Sequence, residues 1–131
     1  AYYENKGIAC WSGNDDESFN GRHKFNYHGV ISVTSNILPR LMRKLMDEND
    51  PQLNESMQDL MKWLFVEPNP ICLNTALMMT NAVPKNFRLP YIAIPKELRQ
   101  QGLTLLSQFD SEEITGDSLN LLEDSDFNYT V

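Results

Sequence analysis

The 131-residue sequence is poor in positive charge and in cysteine, and it has no long apolar run. Eleven lysines and arginines face eighteen aspartates and glutamates, which gives a net charge of −7. Such a chain repels phosphate backbones, so we expect no nucleic-acid binding. No stretch approaches the roughly 18 apolar residues of a membrane-spanning helix, so we expect no membrane insertion. The remaining composition, 41% apolar and 22% charged, is typical of a globular protein.

The two cysteines, Cys10 and Cys72, lie far apart in short apolar runs and form no C-x-x-C motif. We expect both to be buried, reduced thiols, as in proteins of a reducing intracellular compartment. The two histidines, His23 and His28, have no H-E-x-x-H motif or cysteine partner nearby, so we expect no metal site. The glycine-rich motifs that bind nucleotides are also absent, and we expect no cofactor.

Two short apolar runs predict a pair of parallel strands. They are residues 8–11 (IACW) and residues 30–33 (VISV), and we expect both to be buried on both faces. The 17 residues between the first run and Gly29 are enough for the crossover that parallel strands need. Gly21 and the two histidines predict a poor helix in that crossover.

The rest of the chain has mainly helical patterns. Apolar residues recur at the three- and four-residue spacing of amphipathic helices, and Asp50-Pro51 and Asn69-Pro70 are typical helix starts. The pattern predicts helices over about 35–48, from Pro51, from Ile71 and from Pro95, with an extended link at 91–94. We expect no sheet within residues 51–109, and a loose acidic tail from residue 110 onward.

The densest polar cluster, residues 12–17, directly follows the first predicted strand, where α/β folds place functional loops. Gly13 would let a ligand approach the backbone. The three carboxylates in the cluster have a simpler explanation, since negative charge stabilises the start of a helix. Lys6 precedes its strand and Lys24 lies in the crossover, so we expect neither to be a buried amine nucleophile.

Four segments occur in an order and at a spacing typical of one family: residues 7–17, residues 28–36, residues 62–71 followed by 73–77, and residues 87–91. Together they resemble the C-terminal part of the dihydrodipicolinate synthase family, now called 4-hydroxy-tetrahydrodipicolinate synthase, over roughly residues 2–109. The W-S-G-N-D-D and L-N-T-A-L strings and the acidic tail are similar to the plant and algal branch. The resemblance therefore implies a location in the plastid stroma.

The resemblance implies an α/β fold made of the last two βα units of a TIM barrel followed by a C-terminal helical domain. Residues 1–48 would be the end of the (β/α)₈ barrel, residues 49–109 the helical domain, and residues 110–131 an acidic tail. The family usually forms tetramers built from dimers. A complete barrel needs roughly 200 residues or more, so the barrel in this chain is incomplete. We expect another polypeptide to complete it: the missing half, a sister subunit or a larger complex.

The family condenses pyruvate with aspartate semialdehyde in lysine biosynthesis, through a Schiff base on a lysine. By resemblance, the backbones of Gly13 and Ile31 line the pyruvate pocket, with Ser12 and Asn14 beside them. The resemblance places the Schiff-base lysine upstream of residue 1. We therefore expect no catalytic residue in this chain, pyruvate binding only when the barrel is complete, and no activity from the chain alone.

Two functional hypotheses from different classes remain open. The chain is part of a synthase whose other part supplies the lysine, or it is a truncated, non-catalytic homologue that serves as a structural or interaction subunit. A different pyruvate lyase reaction on the same scaffold, such as that of N-acetylneuraminate lyase, is disfavoured by the plant-like motifs. The sequence upstream of Ala1 would distinguish the first two hypotheses.

Overall fold

The computed structural model describes residues 6–131. In chain order its elements are β1 (Trp11–Ser12), α1 (Asp15–Phe25), β2 (Gly29–Val30), α2 (Pro39–Asp47), α3 (Pro51–Trp63), α4 (Ile71–Met79), β3 (Asn86–Arg88), α5 (Lys96–Leu106) and β4 (Asn128–Thr130). Short 3₁₀ turns occur at Thr34–Asn36 and Asp124–Asp126. Within residues 6–131, no helix is both long enough and apolar enough to cross a membrane.

β1 and β2 form the parallel pair that the sequence predicts, with Trp11 beside Gly29 and Ser12 beside Val30. Each strand has only two residues, against four in each predicted run. In the described part of the chain no further strand pairs with either outer edge. A sheet of only two strands is marginally stable, because no neighbouring strand supports either edge, and this accounts for the short strands.

The prediction that these strands are buried on both faces is wrong for this chain by itself. The side chains of Ile8, Trp11 and Ile31 are 47%, 54% and 73% exposed, because little of the described chain covers the strand pair. Cys10 is half-buried rather than buried for the same reason, whereas Cys72 is buried as predicted, and both are free thiols. Burial raises the pKa of the Cys72 thiol, which keeps it protonated and unreactive at neutral pH.

The crossover between β1 and β2 is a continuous helix, α1, so the expectation of a poor helix is wrong. Gly21 lies where α1 meets Tyr27, and a Cβ there would be 2.7 Å from a carbon of the ring. Asn26 ends the helix in the left-handed region, at a φ of 57°. The Nε2 of His23 donates to the Leu45 carbonyl of α2 at 2.9 Å. The glycine and the histidine thus serve the packing of the helix.

One core joins α1 to the four later helices. Helix α3 begins at Pro51 as predicted, because the Asp50 carboxylate accepts hydrogen bonds from the amides of Gln52 and Leu53, each at 3.0 Å. Its apolar stripe meets those of α2, α4 and α5, in agreement with the predicted helical periodicity. The residues of this core with no measurable exposure are Ile37, Leu38, Leu45, Met57, Leu64, Cys72, Ala76 and Leu106.

Gly102 marks a close approach of α5 to α3. A Cβ there would lie 2.5 Å from Cη2 of Trp63 and 2.8 Å from its Cε2. The buried indole is held by a 2.9 Å hydrogen bond from Nε1 to the Leu98 carbonyl. Alanine is the better helix former by about 1 kcal/mol. We nevertheless expect Gly102→Ala to lower the free energy of unfolding by about 1–3 kcal/mol, since the ring has no room to move away.

Urea unfolding of the protein that contains these 131 residues measures this loss. Gln101→Ala is the matched control, because Gln101 is the exposed neighbour of Gly102 on the same helix. The control should change the free energy of unfolding by no more than about 0.5 kcal/mol. An unchanged or raised stability for Gly102→Ala would show that the two helices are not packed as described.

Residues 110–131 are not the loose tail that the composition predicts. The amide of Thr115 donates to the Ile37 carbonyl at 2.8 Å, and the side chains of Leu122 and Phe127 are buried. The apolar residues of this segment are few and irregularly spaced, so no periodicity marks the segment in the sequence. We call residues 110–131 the C-terminal segment below.

The C-terminal segment also forms a second sheet, where we expected none. β4 pairs in parallel with β3, so that Phe87 lies beside Tyr129. Phe87 is buried and its ring centroid is 6.0 Å from that of Phe127. These two rings join Met78, Met79 and Leu122 in a second, smaller core. β3 has three residues between two helices, which is too short to show the alternation of a strand.

Arg99 is a buried cation where α5 meets the C-terminal segment, with an exposure of 1%. Its Nη1 donates to the Ile94 carbonyl at 2.8 Å, and its Nη2 pairs with Oδ1 of Asp124 at 2.5 Å. Its Cζ lies 5.2 Å from the centroid of the Phe127 ring. A buried charge is costly without a partner, so the C-terminal segment stabilises Arg99 by supplying the Asp124 carboxylate.

Candidate functional site

The candidate site lies at the carboxyl ends of β1 and β2. The chain leaves β1 at Gly13 and β2 at Ile31, and the Ile31 amide donates to the Ser12 carbonyl at 2.9 Å. Because the strands are parallel, their carboxyl ends lie at the same edge of the pair. The structure therefore brings together Gly13 and Ile31, the two residues predicted to line a pyruvate pocket.

Both of these residues are open to solvent. Gly13 is exposed, and a Cβ there would have no heavy atom within 4 Å. The Ile31 side chain is one of the most exposed large apolar groups of the described chain. Their backbones can therefore be approached by a ligand or by further protein.

Ser12 and Asn14 shape the turn after β1. The Ser12 side chain is 7% exposed, and its Oγ accepts from the Asn14 amide at 3.1 Å and donates to the Asn14 carbonyl at 2.9 Å. These two hydrogen bonds fix the path of the chain on both sides of Gly13. The Ser12 hydroxyl is thus used within the turn, whereas the Asn14 side chain is exposed.

Asp15 is the buried acid of this edge, with an exposure of 2%. Its Oδ2 accepts three hydrogen bonds: from the Val33 amide at 3.0 Å, the Thr34 amide at 2.8 Å and the Thr34 hydroxyl at 2.8 Å. The sequence pattern explains Asp15 only as one of three acids at a helix start. Nothing in the spacing shows that Asp15 alone turns inward and bridges the two strand ends.

No lysine of the described chain has the surroundings of a Schiff-base residue. Lys6 precedes β1, at the end of the strand opposite Gly13, and Lys24 is exposed in the last turn of α1. Lys62 lines a cavity of about 250 Å³ together with residues of the turn, among them Asp15. The Lys62 side chain is 67% exposed, however, and lies 3.9 Å from the Asp59 carboxylate. A nucleophilic lysine needs desolvation or a neighbouring cation instead.

An open groove borders the strand pair. A cavity of about 500 Å³ runs between the strand pair and α2, and its lining includes Trp11, His28, Val30 and Met42. The rings of Trp11 and His28 lie 5.5 Å apart at its wall. Within residues 6–131, no group of three or more histidine, cysteine, aspartate or glutamate residues could hold a metal ion.

Parallel strands joined by an outer helix, with open loops at their carboxyl ends, form a βαβ unit of the kind that α/β enzymes contain. The sequence profile of the dihydrodipicolinate synthetase family matches residues 1–109. The chain belongs to this family.

Several curated relatives are chloroplastic enzymes of plants. The chain is 44% identical to the chloroplastic 4-hydroxy-tetrahydrodipicolinate synthase of Zea mays over 128 residues, which are 96% of this chain and 34% of that enzyme. It is 46% identical to the chloroplastic synthase 1 of Arabidopsis thaliana over 127 residues, 95% of this chain and 35% of that enzyme. The chain thus spans about a third of the length of the curated relatives it matches.

Solved structures of TIM-barrel enzymes match the fold of the chain. Dihydrodipicolinate synthase of Thermotoga maritima gives a TM-score of 0.70 at 30% identity, over 79% of this chain and 36% of that one. The Acinetobacter baumannii enzyme, solved in complex with pyruvate, gives a TM-score of 0.70 at 28% identity, over 79% of this chain and 38% of that one. Most of the chain is therefore similar in fold to a part of these enzymes.

Proposed function

We propose that the chain is the C-terminal part of a pyruvate-dependent class I aldolase, which condenses pyruvate with aspartate semialdehyde in lysine biosynthesis. The observation that carries this proposal is the juxtaposition of Gly13 and Ile31 at the carboxyl ends of two adjacent parallel strands, in a chain of this family. The chloroplastic relatives support the plastid stroma as its location.

In this proposal a lysine outside the 131 residues attacks the pyruvate ketone and releases water to form a Schiff base. Loss of a methyl proton gives the enamine, whose carbon forms the new bond to the aldehyde carbon of the second substrate while the aldehyde oxygen takes up a proton. Cleavage of the carbon–nitrogen bond to the lysine then releases the product and regenerates the amine. This chain supplies a wall of the pocket. The missing side chain at Gly13 lets pyruvate approach the backbone, and the backbone at Ile31 limits the pocket beside it.

We propose further that β1 and β2 are the last two strands of the barrel, and that a C-terminal helical domain begins near residue 49. Another polypeptide segment would then continue the sheet beyond the free edges of β1 and β2. The exposed side chains of Ile8, Trp11 and Ile31 and the groove beside β2 support this proposal. Unpaired strand edges are a ready template for added strands.

The alternative is a non-catalytic subunit that serves as a structural or interaction module. One observation favours it. The helices and the C-terminal segment of the described chain form packed cores of their own. The loss of catalysis would leave these cores intact.

Borohydride trapping with pyruvate separates the two proposals. Reduction of a Schiff base leaves pyruvate attached to the lysine that formed it, so the modified residue can be located by peptide mass spectrometry. The isolated chain should gain no mass at Lys6, Lys24 or Lys62. The complete assembly that contains the chain should gain one adduct, on a lysine outside these 131 residues.

Two results would contradict the enzymatic proposal as stated. An adduct on any lysine of this chain would show that the chain carries its own nucleophile. An assembly that contains the chain but forms no adduct would favour the structural subunit. Acetate in place of pyruvate is the control, because it has the carboxylate but no ketone.

A further inference from the structure

We propose that Asp15 is a positioning residue for the pyruvate pocket. Its carboxylate fixes the chain that leaves β2 to the chain that leaves β1, and thereby sets the distance between the backbones of Ile31 and Gly13. The inference rests on the proposed function, since it concerns the pocket that these two residues would line.

The hydrogen bonds of the Asp15 carboxylate all come from one short segment. Oδ2 accepts from the amides of Val33 and Thr34 and from the Thr34 hydroxyl, at 2.8 to 3.0 Å. Oδ1 is buried and has no hydrogen-bond partner among residues 6–131. The whole interaction of the carboxylate with the described chain is therefore directed at the residues that follow β2.

These hydrogen bonds lie just outside the proposed pocket. Asp15 follows Gly13 by two residues, and Val33 follows Ile31 by two residues. A hydrogen bond from the Ile31 amide to the Ser12 carbonyl also joins the chain that leaves β2 to the end of β1. The Asp15 carboxylate therefore links the two chain segments just beyond the ends of β1 and β2, where no strand pairing joins them.

Burial distinguishes Asp15 from the acids beside it. Asp16 and Glu17 are exposed in the same helical turn and can serve the helix dipole equally well. Asp15 and Thr34 are 2% and 0% exposed. Hydrogen bonds donated to a carboxylate in such a place are short and strong, so they fix the segment more firmly than exposed ones would.

Substitutions in the complete assembly test the inference. Asp15→Asn keeps the shape of the side chain and one oxygen acceptor but removes the charge, and should raise the KM for pyruvate by about tenfold. Asp15→Ala removes all three hydrogen bonds and should lower kcat/KM by about a hundredfold, as expected when a pocket wall moves by about 1 Å. Asp16→Asn, in the same helical turn, is the matched control and should leave the KM unchanged.

Thr34 gives a second series that does not alter the carboxylate. Thr34→Val removes one of the three donors and should raise the KM for pyruvate. Thr34→Ser keeps the hydroxyl and should have an unchanged KM. Amide hydrogen exchange at Val33 and Thr34 should be faster in Asp15→Asn than in Asp16→Asn. A role in stability alone would lower the unfolding midpoint and the active fraction but leave the KM of the folded enzyme unchanged.

The outcomes are distinguishable. If the assembly with Asp15 intact traps pyruvate and folded Asp15→Asn has an unchanged KM, the positioning role is wrong and the proposed function stands. If the assembly with Asp15 intact traps no pyruvate, the proposed function fails and the inference fails with it. A raised KM in Asp15→Asn and Thr34→Val, with Asp16→Asn and Thr34→Ser normal, supports the inference.

Discussion

Purified by itself, the 131-residue chain should not behave as a compact, cooperatively folding monomer. The strand pair leaves Ile8, Trp11 and Ile31 substantially exposed and both outer edges of β1 and β2 without a strand in the described chain. Soluble monomers rarely expose contiguous apolar patches of more than a few hundred Å². We therefore expect self-association in sedimentation velocity, strong binding of a hydrophobic dye and a broad thermal transition.

A matched pair of variants shows whether the strand pair is the cause. Ile8→Ser combined with Ile31→Ser reduces the apolar surface at the open edge, and should reduce both self-association and dye binding. Val131→Ser removes an apolar side chain that is fully exposed but lies outside the strand pair, and should change neither. A compact, cooperative monomer that binds little dye would contradict this expectation and would indicate an independent small domain.

Phe127→Ala should cost about 3–5 kcal/mol of the free energy of unfolding, as large-to-small substitutions of buried aromatic residues do. Phe127 is 6% exposed, its ring is tilted against that of Phe87, and it lies under the guanidinium of Arg99. Its loss leaves a cavity between α5 and the C-terminal segment, and weakens the contact that holds Asp124 beside the buried Arg99.

Tyr129→Ala is the matched control for this effect. Tyr129 also lies against Phe87, with ring centroids 6.2 Å apart, but its side chain is 45% exposed. It should cost about 1 kcal/mol or less, because little buried area is lost. Urea unfolding of the complete assembly compares the two variants. Equal, small losses would mean that residue 127 is not buried and that the C-terminal segment is indeed loose.

The parts of the fold that the sequence predicts are those that local chemistry determines. The start of α3 follows from Asp50 and Pro51, which act within one helical turn. The parallel pairing of β1 and β2 follows from two apolar runs and a crossover of sufficient length. Both conclusions need only neighbouring residues or a simple topological rule.

The parts that the sequence does not predict depend on distant contacts. Phe87 and Thr130 are joined by a hydrogen bond across 43 residues of sequence, and neither strand of that sheet is long enough to show alternation. The residues of the candidate site also fall into a predicted group and an unpredicted one. Gly13 and Ile31 are found through resemblance and strand topology, whereas Asp15 is one of three adjacent acids with the same local pattern. Only the packing of α1 determines which acid turns inward.

The order in which the chain is synthesised gives the C-terminal segment a further consequence. β3 and Arg99 leave the ribosome well before β4, Asp124 and Phe127, so the second core has no partner for its first half during that interval. At this stage Arg99 lacks its Asp124 partner and Phe87 lacks the ring of Phe127, so we expect both side chains to be exposed. A truncated chain that ends before Asp124 keeps these side chains exposed, so we expect chaperones to bind it and proteases to cleave it.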